Sequence, residues 1–292
     1  LKRNASIATQ LTPGYGSKLE ADDREFFRRE LRSRCGIHIP ESKSSLIESR
    51  LRKRVIALGL ESFSEYRALL TAHGSKSEEW QWVVASLTTH TTQWFREIDH
   101  FHEIKATFLP QWMKQHPKRT LRVWSAACSS GEEPYSLALL LNAFHHRSGL
   151  EYEITATDID TQVLETASEG FYPADGLERI PEEYHANALA RGIGKAEGWM
   201  KVRSHIRDRI DFSPLNLAKT PYPFEKRFDL ILCRNVLIYF PPEVISQVAH
   251  GLYRSSVPGG ILFTGHSESF SNLSVPWKFV KPTQYKRPED AE

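Results

Sequence analysis

Most of this chain is expected to fold as an α/β protein with a parallel sheet, carrying a small inserted β element and preceded by an all-helical domain. Three observations point there. Residues 20–90 place apolar side chains at helical spacing, and no strand-like alternation occurs before position 120. From Leu121 onward short apolar runs alternate with helical stretches, the rhythm of a parallel sheet with right-handed crossovers. Between Tyr172 and Arg207 that rhythm is broken by a polar, glycine-containing piece, RGIGKAEGWMKVR.

Length and composition agree. The 292 residues suffice for two domains. With 40% hydrophobic and 25% charged residues, collagen-like, disordered and membrane-spanning classes are excluded. No apolar run approaches the ~18 residues of a spanning helix, and the N-terminus lacks the apolar core of a secretory signal. Cys35, Cys128 and Cys233 are too far apart for a disulfide framework or a zinc knuckle. A reduced, cytoplasmic, soluble protein without a metal site is expected. The net charge of +2 is small for a nucleic-acid binder, but residues 24–54 hold ten Lys/Arg against four acids, a local +6. Such an excess suits either an acidic partner or a solvated helix face.

Residues 1–17 read as a flexible polar tail and 18–90 as the helical domain. Within it Ile47, Leu51, Val55 and Leu58 form one apolar stripe, flanked by Arg50, Lys53 and Arg54, and Gly59 stops the helix. Further helices are expected around Phe63–Leu70 and Trp80–Leu87. Residues 91–117 read as a linker. The α/β domain then spans 118–288, with strands at Leu121–Ala126, Tyr152–Ala156, Ile210–Phe212, Phe228–Cys233 and Gly260–Thr264, and the insertion at about 172–207.

The first strand runs into Ala127-Cys128-Ser129-Ser130-Gly131, and Glu132-Glu133-Pro134 opens a helix. A strand, a turn of small residues and a helix N-terminus make a nucleotide-type pocket. A dinucleotide site would place pyrophosphate on that N-terminus. Two carboxylates there repel pyrophosphate and suit a cofactor with a cationic amine or sulfonium, which favours S-adenosylmethionine over a nicotinamide. Asp158, 27 positions beyond Gly131 at the end of the second strand, stands where a ribose diol is held. Asp160 is expected to cap the next helix. Asn216-Leu217 and the run Cys233 to Phe240 follow later strands, where ligands bind in open sheets. Core packing is the expectation for Leu237, Ile238 and Phe240.

These pieces together are recognisable. Leu87-Thr88-Thr89 through Trp94-Phe95-Arg96-Glu97, then SSGEEPYS (129–136), ATDID (156–160), CRNVLIYF (233–240) and Gly259-Gly260 through Gly265-His266-Ser267-Glu268 occur in one order across about 25–280. In this the chain resembles the CheR family, chemoreceptor glutamate methyltransferases of bacterial chemotaxis. The resemblance implies an all-α N-terminal domain, a class I (Rossmann-like) S-adenosylmethionine-dependent methyltransferase domain and an inserted β subdomain. It implies cofactor contacts at Thr92, Arg96, Glu133, Asp158, Asn216, Leu217, Asn235 and Val236. His90 is carried over with them, although the family commonly has Asn there; an imidazole is bulkier and can titrate. In the insertion, Arg191, Gly192, Gly194, Gly198 and Arg203 resemble the pattern that in some members docks a receptor's C-terminal peptide. The alternative is a glycine-rich turn without a ligand.

The reaction so implied is methyl transfer to glutamate side chains of chemotaxis receptors, giving a methyl ester and S-adenosylhomocysteine. Arg96, Tyr239 and Arg234 are the candidates to assist near the methyl group. For Arg96 the alternative is a bond to the cofactor's own carboxylate, for Tyr239 packing, and for Arg234 an ion pair holding its loop. Arg50, Lys53 and Arg54 are candidates to meet acidic receptor helices. Competing classes are a non-catalytic scaffold that binds cofactor and receptor, which a turnover assay separates, and a nucleic-acid methyltransferase. The latter is disfavoured because Arg-Asn-Val-Leu-Ile-Tyr stands where an Asn/Asp-Pro-Pro-Tyr/Phe loop would be, and no nucleic-acid partner or direct membrane insertion is expected.

Overall fold

A computed structural model describes residues 18–74 and 77–289; the expected tail at 1–17 lies outside them. The chain divides into two compact units, the first holding residues up to Thr88 apart from 35–37, the second those three and everything from Thr89.

The first unit is helical: α1 (Ala21–Cys35), α2 (Ser44–Ala57), α3 (Phe63–Ala72) and α4 (Glu78–Leu87). In α2 the stripe Ile47, Leu51 and Val55 is buried, whereas Leu58 forms the C-cap and is half-buried. Gly59 follows at φ +70°, the left-handed turn that glycine adopts without a Cβ penalty. Ser62 caps α3 by accepting from the Glu65 N–H, while the Glu65 carboxylate reaches back to the Glu61 N–H.

The second unit opens with α5 (Ile98–Glu103), a π-turn over Ile104–Phe108 and α6 (Leu109–Gln115). This corrects the expectation of a linker at 91–117. Phe101, Ile104, Phe108, Leu109 and Trp112 recur at helical spacing and are buried in the same core as Leu121, Val123 and Leu139. There follow β1 (Leu121–Ala126), α7 (Glu132–Ser148), β2 (Tyr152–Asp158), α8 (Thr161–Glu169), β3 (Phe171–Pro173), β4 (Leu189–Arg191), β5 (Trp199–Val202), α9 (Ser204–Arg207), β6 (Ile210–Pro214), β7 (Phe228–Cys233), α10 (Pro242–Ser255), β8 (Ser256–Thr264), β9 (Lys278–Lys281) and β10 (Gln284–Lys286).

Seven strands form one sheet in the order β6-β2-β1-β7-β8-β10-β9. The first five are parallel, and β10 runs antiparallel to both of its neighbours. Every residue of β7 is buried, as expected of a strand covered on both faces. Alternate residues serve two cores. Leu121, Val123, Leu230 and Leu232 pack with α5–α7, and Trp124, Ala126, Ile231 and Cys233 pack with Val248 and Leu252 of α10. The insertion is a separate antiparallel sheet, β3-β5-β4. Because β1 continues to β2 on one side and lies against β7 on the other, the chain reverses direction across the sheet at the carboxyl end of β1. That is where open α/β sheets bind ligands.

Candidate active site

The turn after β1 holds Ala127, Ser129 and Gly131 at φ +64°, +51° and +97°. Two of these are not glycine, and such residues in the left-handed region store strain at a cost of about 1–3 kcal/mol each. Gly131 is required sterically, since a Cβ there would sit 2.7 Å from Tyr172 Oη and 2.8 Å from Ala167 Cβ. Tyr172, from β3, also donates its hydroxyl to the Ser130 carbonyl at 2.6 Å, so the insertion buttresses the turn.

Asp158 ends β2 and is 7% exposed. Its Oδ2 accepts the Ser129 N–H at 2.8 Å and its Oδ1 the Asp160 N–H at 3.1 Å. Burial pushes its pKa up. A carboxylate offers about four lone-pair sites, so roughly two remain for the hydroxyls of a diol. Asp160 caps α8, accepting from the Gln162 N–H at 2.8 Å, and His90 Nε2 lies 3.0 Å from its other oxygen. Burial works against the Asp160 charge, but the His90 and Gln162 bonds outweigh it and hold its pKa low. His90 is thus tied to the second aspartate of ATDID, and its carbonyl accepts from Ser129 Oγ.

Across the sheet end lies a buried ion cluster. Arg234, with a side chain 1% exposed, donates from Nη1 to Glu133 at 2.9 Å and from Nη2 to Glu97 at 3.0 Å and to the Arg96 carbonyl. Glu133 also accepts the Ser125 hydroxyl at 2.7 Å. This corrects the expectation that Arg234 assists near the methyl group: it is a buried counter-ion that fixes loops. In the first turn of α7, Glu133 is paired with Arg234 and Glu132 accepts the Ser130 hydroxyl at 2.7 Å.

Glu97 stands at φ +54° and accepts the Asn235 side-chain amide at 2.9 Å. Burial raises its pKa, but the bonds from Asn235 and Arg234 prevail and hold it at about 2. Glu268, 6% exposed, accepts the N–H groups of Asn235 at 2.9 Å, Leu237 at 2.7 Å, Ile238 at 3.4 Å and Gly265. It joins the loop after β8 to the loop after β7. Neither Glu97 nor Glu268 was singled out from sequence; the signal available was their place inside the motifs WFRE and GHSE. Nearby, burial lowers the pKa of His100, on α5, to about 4.

The remaining candidates divide. Val236 and the buried Leu217 pack in the core that also holds Trp124 and Leu237, and Asn216 accepts from the Ala218 N–H at 3.0 Å. Thr92 and Arg96 are half-buried, and Arg96 donates to the Thr91 carbonyl at 2.7 Å. Tyr239 is half-buried on a single helical turn, Leu237–Tyr239, at the carboxyl end of β7. In the insertion, Arg191 ends β4 and the Arg203 N–H bonds Ala188. Gly192 has a turn role, for its Cβ would lie 1.9 Å from the Ala196 carbonyl oxygen, and Gly194 and Gly198 sit at φ +60° and +84°.

In the helical unit the basic trio is largely engaged. Arg54 makes a two-pronged pair with Glu79 at 2.9 and 2.6 Å, and Arg50 donates to the carbonyls of Ser86 and Thr88. Lys53 is exposed.

The turn of small residues, the spare lone pairs of Asp158 and the acidic first turn of α7 fit a nucleoside cofactor without pyrophosphate. The family model for the CheR methyltransferase SAM-binding domain matches residues 90–286, and that for its all-alpha domain matches 22–88. The chain belongs to the CheR methyltransferase family. Its cofactor is therefore S-adenosylmethionine. It is 35% identical over 290 residues to the chemotaxis protein methyltransferase of Salmonella typhimurium, covering 98% of this chain and 96% of that one. It is 36% identical over 277 residues to chemotaxis protein methyltransferase 2 of Pseudomonas aeruginosa, covering 94% and 97%. As a CheR-family protein it is a methyltransferase of the chemotaxis class, and no helix among its described residues is long and apolar enough to cross a membrane.

Proposed function

We propose that the protein transfers the methyl group of S-adenosylmethionine to glutamate side chains in the cytoplasmic helices of chemotaxis receptors, giving γ-glutamyl methyl esters and S-adenosylhomocysteine, and that it works in the cytoplasm, recruited to membrane receptors. The observation that carries this reading is the match to both family domains, with chemotaxis methyltransferases similar over nearly the whole chain.

The cofactor supplies an electrophilic methyl on a sulfonium. A glutamate with an ordinary pKa of about 4.3 is already ionised at neutral pH, so no residue has to act as a general base. Alignment of oxygen and carbon and exclusion of water are what the chain must provide. Asp158 holds the ribose hydroxyls with its two spare lone-pair sites. Ala127, Ser129 and Gly131 let the ligand approach the backbone, with Thr92, His90, Glu133, Asn216, Leu217, Asn235 and Val236 around it. Arg96 keeps N–H donors beyond its bond to Thr91 and orients the incoming carboxylate. Tyr239 donates its hydroxyl to the same group. Lys53, backed by the field of Arg50 and Arg54, meets the acidic receptor helix. The outer edge of β4, with Arg191 and Arg203 beside it, receives a C-terminal receptor peptide as an added strand, which raises local substrate concentration.

The test is transfer of labelled methyl to receptor-containing membranes, followed by mild base. Release as volatile methanol is the expected result. Label that survives base would mean N- or C-methylation and overturn the assignment.

A further inference from the structure

His100 is 4% exposed, and its Nε2 lies 2.8 Å from Thr283 Oγ1. The Thr283 hydroxyl spends its own proton on the Pro282 carbonyl at 2.6 Å, so that oxygen is left to accept from His100 Nε2–H. In the neutral ring the proton is then on Nε2 and Nδ1 carries a bare lone pair. Among the described residues Nδ1 has no hydrogen-bond partner and is buried. It faces Glu97 Oε2 at 3.6 Å. Arg234 Nη2 already donates to that Glu97 oxygen at 3.0 Å, but nothing among the described residues donates to the buried Nδ1 lone pair, which is costly unless something positive lies there.

A third group completes the set. His266, on the loop after β8, stacks edge-on against His100 with ring centroids 5.1 Å apart, and its Nε2 lies 3.2 Å from Asp99. The ligand atoms of Glu97, His100 and His266 all fall within 4.8 Å of one another. Zinc–ligand bonds of about 2.0–2.2 Å put tetrahedral ligand atoms roughly 3.3–3.6 Å apart. The Glu97–His100 pair already has that spacing, and the half-exposed His266 ring has freedom to swing in. The neighbouring Arg234 charge is shared with Glu133, so the cluster with Asp99 remains anionic.

We propose that Glu97, His100 and His266, with Asp99 at the exposed side, bind a divalent cation of the zinc class. Imidazole with carboxylate selects Zn²⁺, Co²⁺ or Ni²⁺ over Mg²⁺ and Ca²⁺. Thr283 orients the His100 ring, the outer-layer role that metal-bound histidines rely on. The same Glu97 carboxylate holds the Asn235 amide and Arg234, so occupancy of this site is linked to the loop after β7. The proposal does not depend on which acceptor is methylated.

The experiment is Co²⁺ titration of the whole protein, read by its visible ligand-field absorption, with Zn²⁺ competing and Mg²⁺ and Ca²⁺ as controls. A single tetrahedral-type band displaced by Zn²⁺ alone is expected. His266→Ala, an exposed substitution, and His100→Ala should abolish the band, Thr283→Ala should weaken Zn²⁺ binding roughly 10–100-fold, and His102→Ala, exposed on the same helix, should change nothing. Absence of a band in the wild type would overturn the proposal and leave a water donating to both atoms. A band that persists in His266→Ala, or is lost in His102→Ala, would overturn it equally.

Discussion

Arg234 Nη1 lies 2.9 Å from Glu133 Oε2, joining residues 101 positions apart beyond the carboxyl ends of β7 and β1. Removing one partner of a buried pair strands the other's charge, which costs about 3–5 kcal/mol. Arg234→Ala, which strands both Glu133 and Glu97, should lose at least that much in urea unfolding. A loss under about 1 kcal/mol would show that the cluster does not carry the loops.

Asp158→Asn should weaken S-adenosylmethionine binding more than it weakens the fold. The amide places an N–H₂ where Ser129 N–H or Asp160 N–H now donates, and it cannot accept from both a diol and the backbone. With about 1.5–3 kcal/mol for a lost bond to a charged group, calorimetry should show the dissociation constant rising roughly 10–100-fold. Unchanged affinity would remove Asp158 from the cofactor's contacts.

Glu268→Gln tests the loop junction without touching a proposed ligand contact. Its carboxylate faces only donors, so an amide nitrogen there must meet an N–H. An unmatched buried donor costs about 1–3 kcal/mol. The expected outcome is faster hydrogen exchange at Asn235, Leu237 and Gly265, with weaker cofactor binding following from it. Exchange identical to the wild type would contradict the role.

The helical unit should show an acid-dependent weakening centred on Glu79. Its bond from Arg54, chiefly, and the Tyr66 hydroxyl hold its pKa below the ordinary 4.5, against the opposing effect of burial. A group whose folded pKa is depressed adds stability that is complete above its unfolded pKa and is lost as pH falls through the folded value. Stability should therefore be flat above about pH 5 from this source and decline below about 4.5. Glu79→Gln should be less stable at neutral pH and should reduce that slope; equal slopes in urea midpoints would refute the assignment.

Lys53→Glu and Arg54→Glu separate recognition from folding. Lys53 is exposed, so its reversal should lower receptor methylation, more at low salt, while thermal stability stays within about 0.5 kcal/mol of wild type. Arg54→Glu sets a carboxylate beside Glu79 and should destabilise the helical unit as well. If Lys53→Glu leaves receptor methylation unchanged at all salt concentrations, that face does not meet the receptor.

The parts of the fold legible in sequence are those in which burial imposes a pattern. β1 and β7 stand at the residues their apolar runs indicate, because both faces of each strand are covered. β9 was not legible, since Lys278–Lys281 is exposed throughout and shows no alternation. The helices at 98–115 were legible in principle from the spacing of Phe101, Ile104, Phe108 and Trp112, but their polar flanks read as a connection. In the site, the small turn and Asp158 are local features and visible as such. The place of Arg234 is not local: its partners Glu97 and Glu133 lie 137 and 101 residues away, and only the folded sheet brings them together.

The position of β10 has a consequence for the order of events during synthesis. It fills the slot between β8 and β9, and Tyr285 within it accepts the Phe270 N–H at 3.0 Å. A chain emerging from the ribosome can complete the helical unit, and pair β1 with β2, long before residue 286 is available. The turn that carries Glu268 is therefore anchored only once β10 is in place, so the Glu268 bonds to the loop after β7 are expected among the late contacts to close.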